Sequence, residues 1–297
     1  MLKKMLSVLA AASVVLGLSA SAAQAFPDKP VRIIVPQTPG GASDALARIM
    51  AQKLGEKWGQ PVIVENRAGA GGNIGMGAVA NAAPDGYVLL MTYVGTQAIN
   101  GALYRGLSFD PVADFTPVAT LATLPFVIVG RSNAPFHTVA ELVAMAKKGR
   151  VTYGSAGNGS VNHLLGEMFS TGAGVRLEHV PYRGAAQALQ DLLAGQVDVV
   201  FTSLPSVAGQ LKSGNLRPIA VTSARRAKAF AQIPTVAEAG FSDFDVTPWF
   251  GLMAPARVPR EVVMKINTDV NDLLRTREVT ISFEAQGAEP YLSTQIG

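Results

Sequence analysis

Two glycine-rich segments carry polar groups of a type and spacing that could hold a small anion. One is Pro36-Gln37-Thr38-Pro39-Gly40-Gly41-Ala42-Ser43-Asp44, and the other is Gly154-Ser155-Ala156-Gly157-Asn158-Gly159-Ser160. Each follows a short apolar run and sets hydroxyl, amide or carboxyl side chains just ahead of an amphipathic stretch. A helix start leaves amides unpaired and carries partial positive charge, and glycine lets a ligand approach that backbone closely. Such an end favours an anion by about 0.3–1 kcal/mol, rising towards ~2 kcal/mol when partly buried. Two of them facing one cleft hold a carboxylate with no arginine required. Glycine also makes tight strand-to-helix turns, and for either segment alone that plainer reading is equally good. The shared design of the pair favours binding. A further segment, Asn66-Arg67-Ala68-Gly69-Ala70-Gly71-Gly72-Asn73-Ile74-Gly75, either shapes the wall of a cleft or makes a close-packed turn.

Other chemistries find less support. The sequence contains no Gly-Lys dipeptide for a Walker loop, no Gly-x-Gly-x-x-Gly at the glycine segments and no Gly-x-Ser-x-Gly nucleophile elbow. It has no cysteine and three histidines, His137, His163 and His179, none of them paired at metal-ligand spacing. A thiol nucleophile, a thiolate metal site and a disulfide framework are thereby excluded. His163 falls in the first turn of a predicted helix. As a general base it would need a nucleophile and an orienting acid in reach, so a structural or ligand-contact role is the better reading. An exported hydrolase using His163 and Ser160 is the enzymatic alternative. Asp44, a carboxylate at a helix start, is first of all a cap.

The elements that position these groups alternate in kind. Val31-Arg32-Ile33-Ile34-Val35 reads as a buried strand, and Ala42 to Lys57 as a helix with Leu46, Ile49, Met50 and Leu54 on one face. Strands are predicted at 62–65, 87–92, 126–129, 151–153, 177–180, 197–201, 217–221 and 250–253, with helices between them. Thr138-Val139-Ala140-Glu141 and Thr235-Val236-Ala237-Glu238 both match a capping box. Pro259 opens a late helix carrying Val262, Val263, Ile266, Val270 and Leu273. This alternation predicts an α/β fold with largely parallel sheets.

The amino end reads as a leader rather than structure. Lys3 and Lys4 precede the uncharged run Met5 to Ala20, too short to span a bilayer, and Ala23-Gln24-Ala25 offers a cleavage site. Residues 1–25 are therefore predicted to be a signal peptide, and the mature chain to be exported to the periplasm. The formal net charge of +4 drops to +2 once Lys3 and Lys4 leave, and no basic stripe is present, which argues against a nucleic-acid partner.

At several places the segments become specific. Val31–Asp44 with its Pro-x-x-Pro-Gly-Gly-x-x-Asp pattern, Val64-Glu65-Asn66-Arg67-Ala68-Gly69-Ala70-Gly71-Gly72, Ala83-Pro84-Asp85-Gly86-Tyr87 and Tyr153–Ser160 follow one another in order. Val180-Pro181-Tyr182-Arg183-Gly184, Ile233-Pro234-Thr235-Val236-Ala237-Glu238-Ala239-Gly240 and Trp249–Pro255 continue the series. The ordered set resembles the tripartite tricarboxylate transporter receptor family of periplasmic solute-binding proteins over nearly the whole mature chain.

The resemblance implies a two-lobed type II periplasmic-binding fold with mixed, mainly parallel sheets and a hinge. Residues 26–120 and 250–297 would form one lobe and 121–249 the other. A small carboxylate-containing metabolite would lie between them, held by amides, hydroxyls and water rather than by a salt bridge. Carried over position by position, the first loop contributes Gln37, Gly40, Gly41 and Asp44. The second contributes Ser155, Asn158, Gly159 and Ser160, with His163 behind them, and Tyr93 and Thr96 line the same cleft. Many relatives carry an acidic residue where Thr202 and Ser203 stand here, which turns the site away from ammonium groups and towards plain carboxylates. Relatives also continue past Ala285–Pro290 into a further helix, whereas this sequence ends at Gly297. The implied role is capture without catalysis, by a monomer needing neither cofactor nor metal, and delivery to membrane transporter subunits. Service to a sensor kinase is the alternative.

Overall fold

The computed structural model describes residues 26–293. The predicted leader, with Lys3, Lys4 and Ala23-Gln24-Ala25, lies outside the described residues.

Strand β1 (Val31–Val35) forms where the β-branched run predicts it, with Val31, Ile33 and Val35 wholly buried. It is flanked in parallel by β2 (Val62–Asn66) and β3 (Val88–Tyr93). Helix α1 (Ala42–Trp58) makes the crossover and buries Leu46, Ala47, Met50 and Leu54 at helical spacing. Gly59 ends it in the left-handed conformation at φ 65°, where any side chain would add strain. Helices α2 (Asn73–Ala80) and α3 (Asn100–Leu103) follow their strands. This sheet is completed by β4 (Phe115–Thr123), β10 (Trp249–Pro255) and β11 (Glu289–Pro290), in the order β11-β4-β10-β3-β1-β2. Helices α8 (Arg260–Leu274) and α9 (Arg277–Glu284) belong to the same half of the molecule.

A second sheet is built from β5 (Phe126–Arg131), β6 (Thr152–Ser155), β7 (Glu178–Pro181), β8 (Val199–Ser203) and β9 (Leu216–Val221), in the order β7-β6-β8-β5-β9. Helices α4 (Val139–Lys148), α5 (Val161–Ala173), α6 (Ala185–Ala194) and α7 (Leu204–Lys212) connect its strands. The chain crosses between sheets after β4 and again before β10. The Leu124 amide donates to the Pro248 carbonyl at 2.9 Å, so the two crossings run side by side. Paired short connections of this kind can absorb the dihedral changes of a hinge.

Three differences from the sequence expectations have physical causes. Strand β4 is absent from the predicted set because Pro117 interrupts its run. In the sheet, Pro117 sits beside Met253 at a register shift, and β11 reaches only Ala122 and Thr123, so the missing N–H leaves no ladder bond unmade. The second capping box makes no α-helix. Glu238 N–H donates to Thr235 Oγ1 at 3.0 Å, but the Glu238 carboxylate accepts from Arg226 instead of reaching back, and only the short turn Ala237–Ala239 forms. At Thr138 and Glu141 both halves of the box are present and α4 follows. Finally, antiparallel pairing takes a larger share than strict alternation suggests, because β10 and β5 run against their neighbours.

Candidate ligand-binding site

A cavity of about 680 Å³ lies where loops from both sheets converge. Gln37, Gly41 and Ser43 enter it after β1, and Ala68 to Gly72 after β2. Tyr93 comes from the end of β3, Asn158 to Ser160 follow β6, Tyr182 to Ala185 follow β7, and Thr202 and Ser203 end β8. These positions fall at the carboxyl ends of strands, the usual place for a ligand in an open α/β sheet. Phe126 and Phe250, each within two residues of a crossing, contribute apolar wall, and the Phe250 ring stacks on Tyr93 at 5.7 Å. Burial, with Tyr104 nearby, pushes the Tyr93 pKa up to about 12, so its hydroxyl remains a neutral donor.

Four helix amino ends open on this space. The caps Gly41 of α1, Ser160 of α5, Gly184 of α6 and Ser203 of α7 all line it. Gly41, Gly184 and Ser203 make no side-chain cap bond, so their first turns still present amides, save at Pro205 in α7, which has no N–H. Ser160 Oγ accepts from the His163 amide at 3.2 Å. The ends meet across the two sheets: a Cβ placed on Gly41 would stand 3.8 Å from Ser206 Oγ. Four such ends are a stronger source of positive potential than the two read from sequence.

Two side chains in the cavity have polar atoms without partners. Thr202 Oγ1 and both amide atoms of Gln37 are buried and unpaired among the described residues. Buried polar groups are nearly always satisfied, and here the groups that could satisfy them belong to whatever enters the cavity.

Not every residue expected at the ligand lies on the cavity wall. Gln37, Gly41, Tyr93, Asn158, Gly159, Ser160 and Thr202 line the cavity; Gly40, Asp44, Thr96, Ser155 and His163 do not. Asp44 faces inward as a brace. Its carboxylate accepts from the Gly40 amide (3.1 Å), from Arg48 (2.9 and 3.0 Å) and from Asn66 (2.9 Å). Asn66 also donates to the Gln37 carbonyl at 3.1 Å, which ties the loop across. Burial works against the charge on Asp44, but Arg48, Gly40 and Asn66 outweigh it and hold the carboxyl below its usual range. Thr96 is turned to Thr92 Oγ1 at 3.1 Å and the Tyr93 carbonyl at 3.2 Å. Ser155 Oγ is taken by His179 Nε2 at 2.6 Å and the Gly157 amide at 3.0 Å.

The hydrolase arrangement is not assembled. Ser160 Oγ donates to the Gly157 carbonyl at 2.7 Å, while His163 Nδ1 accepts from the Gly159 amide at 3.1 Å. Among the described residues, no group of three His, Asp or Glu side chains forms a metal site. Both readings of the middle glycine segment hold. Gly69 to Gly72 line the cavity, and Gly75 packs so that a Cβ would come within 2.7 Å of Pro36. Sequence reasoning missed the starts of α6 and α7, signalled only by Gly184 and by Pro205 just inside α7. The two glycine loops are free of Lys and Arg, but Arg183, after β7, does line the cavity.

Comparison with known proteins gives a consistent result. The profile described as "Tripartite tricarboxylate transporter family receptor" matches residues 46–295. Protein BugT of Bordetella pertussis is 36% identical over 275 residues, 92% of this chain and 84% of that protein. The structure of R. palustris Rpa4515 with adipate superposes with a TM-score of 0.86 at 37% identity, covering 89% of each chain. MatC from Rhodopseudomonas palustris with bound malate gives a TM-score of 0.81 at 32% identity, over 89% of this chain and 90% of that one.

Proposed function

The chain belongs to the tripartite tricarboxylate transporter receptor family, whose members are solute-binding receptors and not enzymes, and from that premise we propose that it captures a small carboxylate in the periplasm. The ligand lies between two lobes that close on it, and the closed monomer delivers it to membrane transporter subunits. One lobe carries the sheet containing β1 and the other the sheet containing β5, with the hinge at Leu124 and Pro248. A periplasmic site agrees with structural relatives described as periplasmic, and no helix among the described residues is long and apolar enough to cross a membrane.

The observation that carries this reading is the convergence of four helix amino ends, from both sheets, on a cavity with no acidic side chain in its lining. A carboxylate there would accept from first-turn amides and occupy the unpaired Thr202 hydroxyl and Gln37 amide. Because α1 lies on one sheet and α5, α6 and α7 on the other, such a ligand stabilises the closed form over the open one. Two solved relatives hold adipate and malate, which supports a carboxylate as the ligand here. A dissociation constant of about 1 μM requires roughly −8 kcal/mol, within reach of several amide and hydroxyl contacts shielded from water.

Calorimetry against aliphatic mono- and dicarboxylates tests the reading. Saturable heats and a raised melting temperature are expected for at least one acid. Uniformly absent heats with unchanged melting would overturn it.

A further inference from the structure

Arg183 is the one charged side chain among the residues lining the cavity, and we propose that it is the specificity-determining residue for a second anionic group on the ligand. This rests on the carboxylate reading above and adds the other end of the ligand. The backbone amide of Arg183 donates to Gln187 Oε1 at 3.2 Å, whereas its guanidinium has no hydrogen-bond or ion-pair partner among the described residues. The nearest acids in sequence are already engaged, Glu178 by Arg150 at 2.6 Å and Asp191 by the Tyr182 hydroxyl at 2.7 Å. The fork of five donors is therefore available to a ligand, and its geometry matches a carboxylate bidentately.

Topology sets the reach. In the second sheet β8, β6 and β7 are adjacent in that order, so their carboxyl ends span two strand spacings, about 10 Å. Thr202 sits at one end of that span and Arg183 just beyond the other. A carboxylate resting at Thr202 leaves room for a chain of a few carbons before a second acidic group comes within reach of Arg183. Arg183 also stands at the seam between the lobes, because a Cβ on its neighbour Gly184 would come within 3.2 Å of Thr38 Oγ1 in the opposite loop. With no Asp or Glu in the lining, an ammonium group would find no counter-charge. The ligand class is then an aliphatic diacid without an amine.

The test is calorimetry with a dicarboxylate and a monocarboxylate of equal chain length, at low and high salt, on the wild type, Arg183→Gln and Arg183→Lys. Melting temperatures check that both variants fold. The wild type should prefer the diacid by about tenfold or more, the scale of one charge-assisted hydrogen-bonded pair. Arg183→Gln should bring the diacid down to the monoacid while leaving the monoacid unchanged, and should abolish the salt dependence of the difference. Arg183→Lys, which keeps charge without the fork, should fall between. Equal binding of the two acids by the wild type overturns the proposal, as does an Arg183→Gln effect that is absent or equal for both. Failure of both acids to bind the wild type would instead remove the carboxylate reading itself.

Discussion

The rings of His163 and His179 stack with centroids 4.1 Å apart, and each is bonded to the loop Ser155–Ser160 that enters the cavity. His163 Nδ1 accepts the Gly159 amide at 3.1 Å, and His179 Nε2 meets Ser155 Oγ at 2.6 Å. Tyr153 stacks on His179 at 4.9 Å, and its hydroxyl donates to Glu167 at 2.6 Å. The loop is thus held from behind by imidazoles that do not line the cavity themselves, His163 through the lining residue Gly159 and His179 through Ser155.

This brace predicts acid sensitivity. Burial, and then the neighbouring His163, push the His179 pKa down from 6.5 to about 4. Between those values the unfolded chain binds a proton that the folded one refuses, and stability rises with pH wherever the unfolded state holds more protons. Stability should therefore fall as pH drops through that window and level off below it. Melting curves from neutral pH to about 4 check this, with His179→Gln flattening the slope. An equal slope in the variant would show that the acid response originates elsewhere.

Asp44 predicts a different response. Its carboxyl is held below the usual range, chiefly by Arg48, Gly40 and Asn66 against the cost of burial. Its contribution is thus fully present above the ordinary carboxylate pKa and lost as pH falls through the lowered one. Asp44→Ala should destabilise by about 1–3 kcal/mol, the cost of leaving its donors without an acceptor, towards the low end because Arg48 is half exposed. Affinity should fall as well, since Gly40 and Asn66 lose the group that sets the loop. Denaturant melts and calorimetry on one preparation separate the two effects. An unchanged melt would remove the bracing role.

The sequence made legible what is local. Val31–Val35 and the glycine loops follow from β-branched runs and from glycine ahead of helical periodicity, and both sit where they were expected. What escaped depends on distant partners. A carboxylate in a first turn looks the same whether it meets ligand or, like Asp44, turns inward to Arg48 and Asn66. The α6 and α7 starts lack the clustered glycines and hydroxyls of the other two, and they join the site only because β7 and β8 lie in the sheet that faces α1. Pro117 hides β4 because its tolerance depends on where β11 ends.

Thr202 separates binding from stability. Its hydroxyl is fully buried and unpaired among the described residues, and a buried unsatisfied hydroxyl costs about 1–3 kcal/mol. Thr202→Val keeps the shape and removes that cost, so the free protein should melt at the same temperature or higher. If the hydroxyl serves ligand, affinity should fall about tenfold, one hydrogen bond to a charged group. The opposite signs are the signature. Lower stability with unchanged affinity would place the hydroxyl in the framework instead.

Gly159 and Leu103 test closure. Gly159 has φ 76°, lies on the second sheet's loop and lines the cavity, and a Cβ there would collide with the Leu103 side chain from α3 on the other half. Gly159→Ala should therefore act in two ways, lowering stability through backbone strain of about 1 kcal/mol and weakening ligand binding through obstructed approach of the lobes. Only the second is relieved by shortening the partner, because strain at Gly159 is independent of Leu103. The double variant Gly159→Ala with Leu103→Ala should recover part of the lost affinity, while Leu103→Ala alone changes it little. Calorimetry on the four proteins gives the coupling directly. Strict additivity would mean that these residues do not meet when ligand is bound, and that the lobes close along another line.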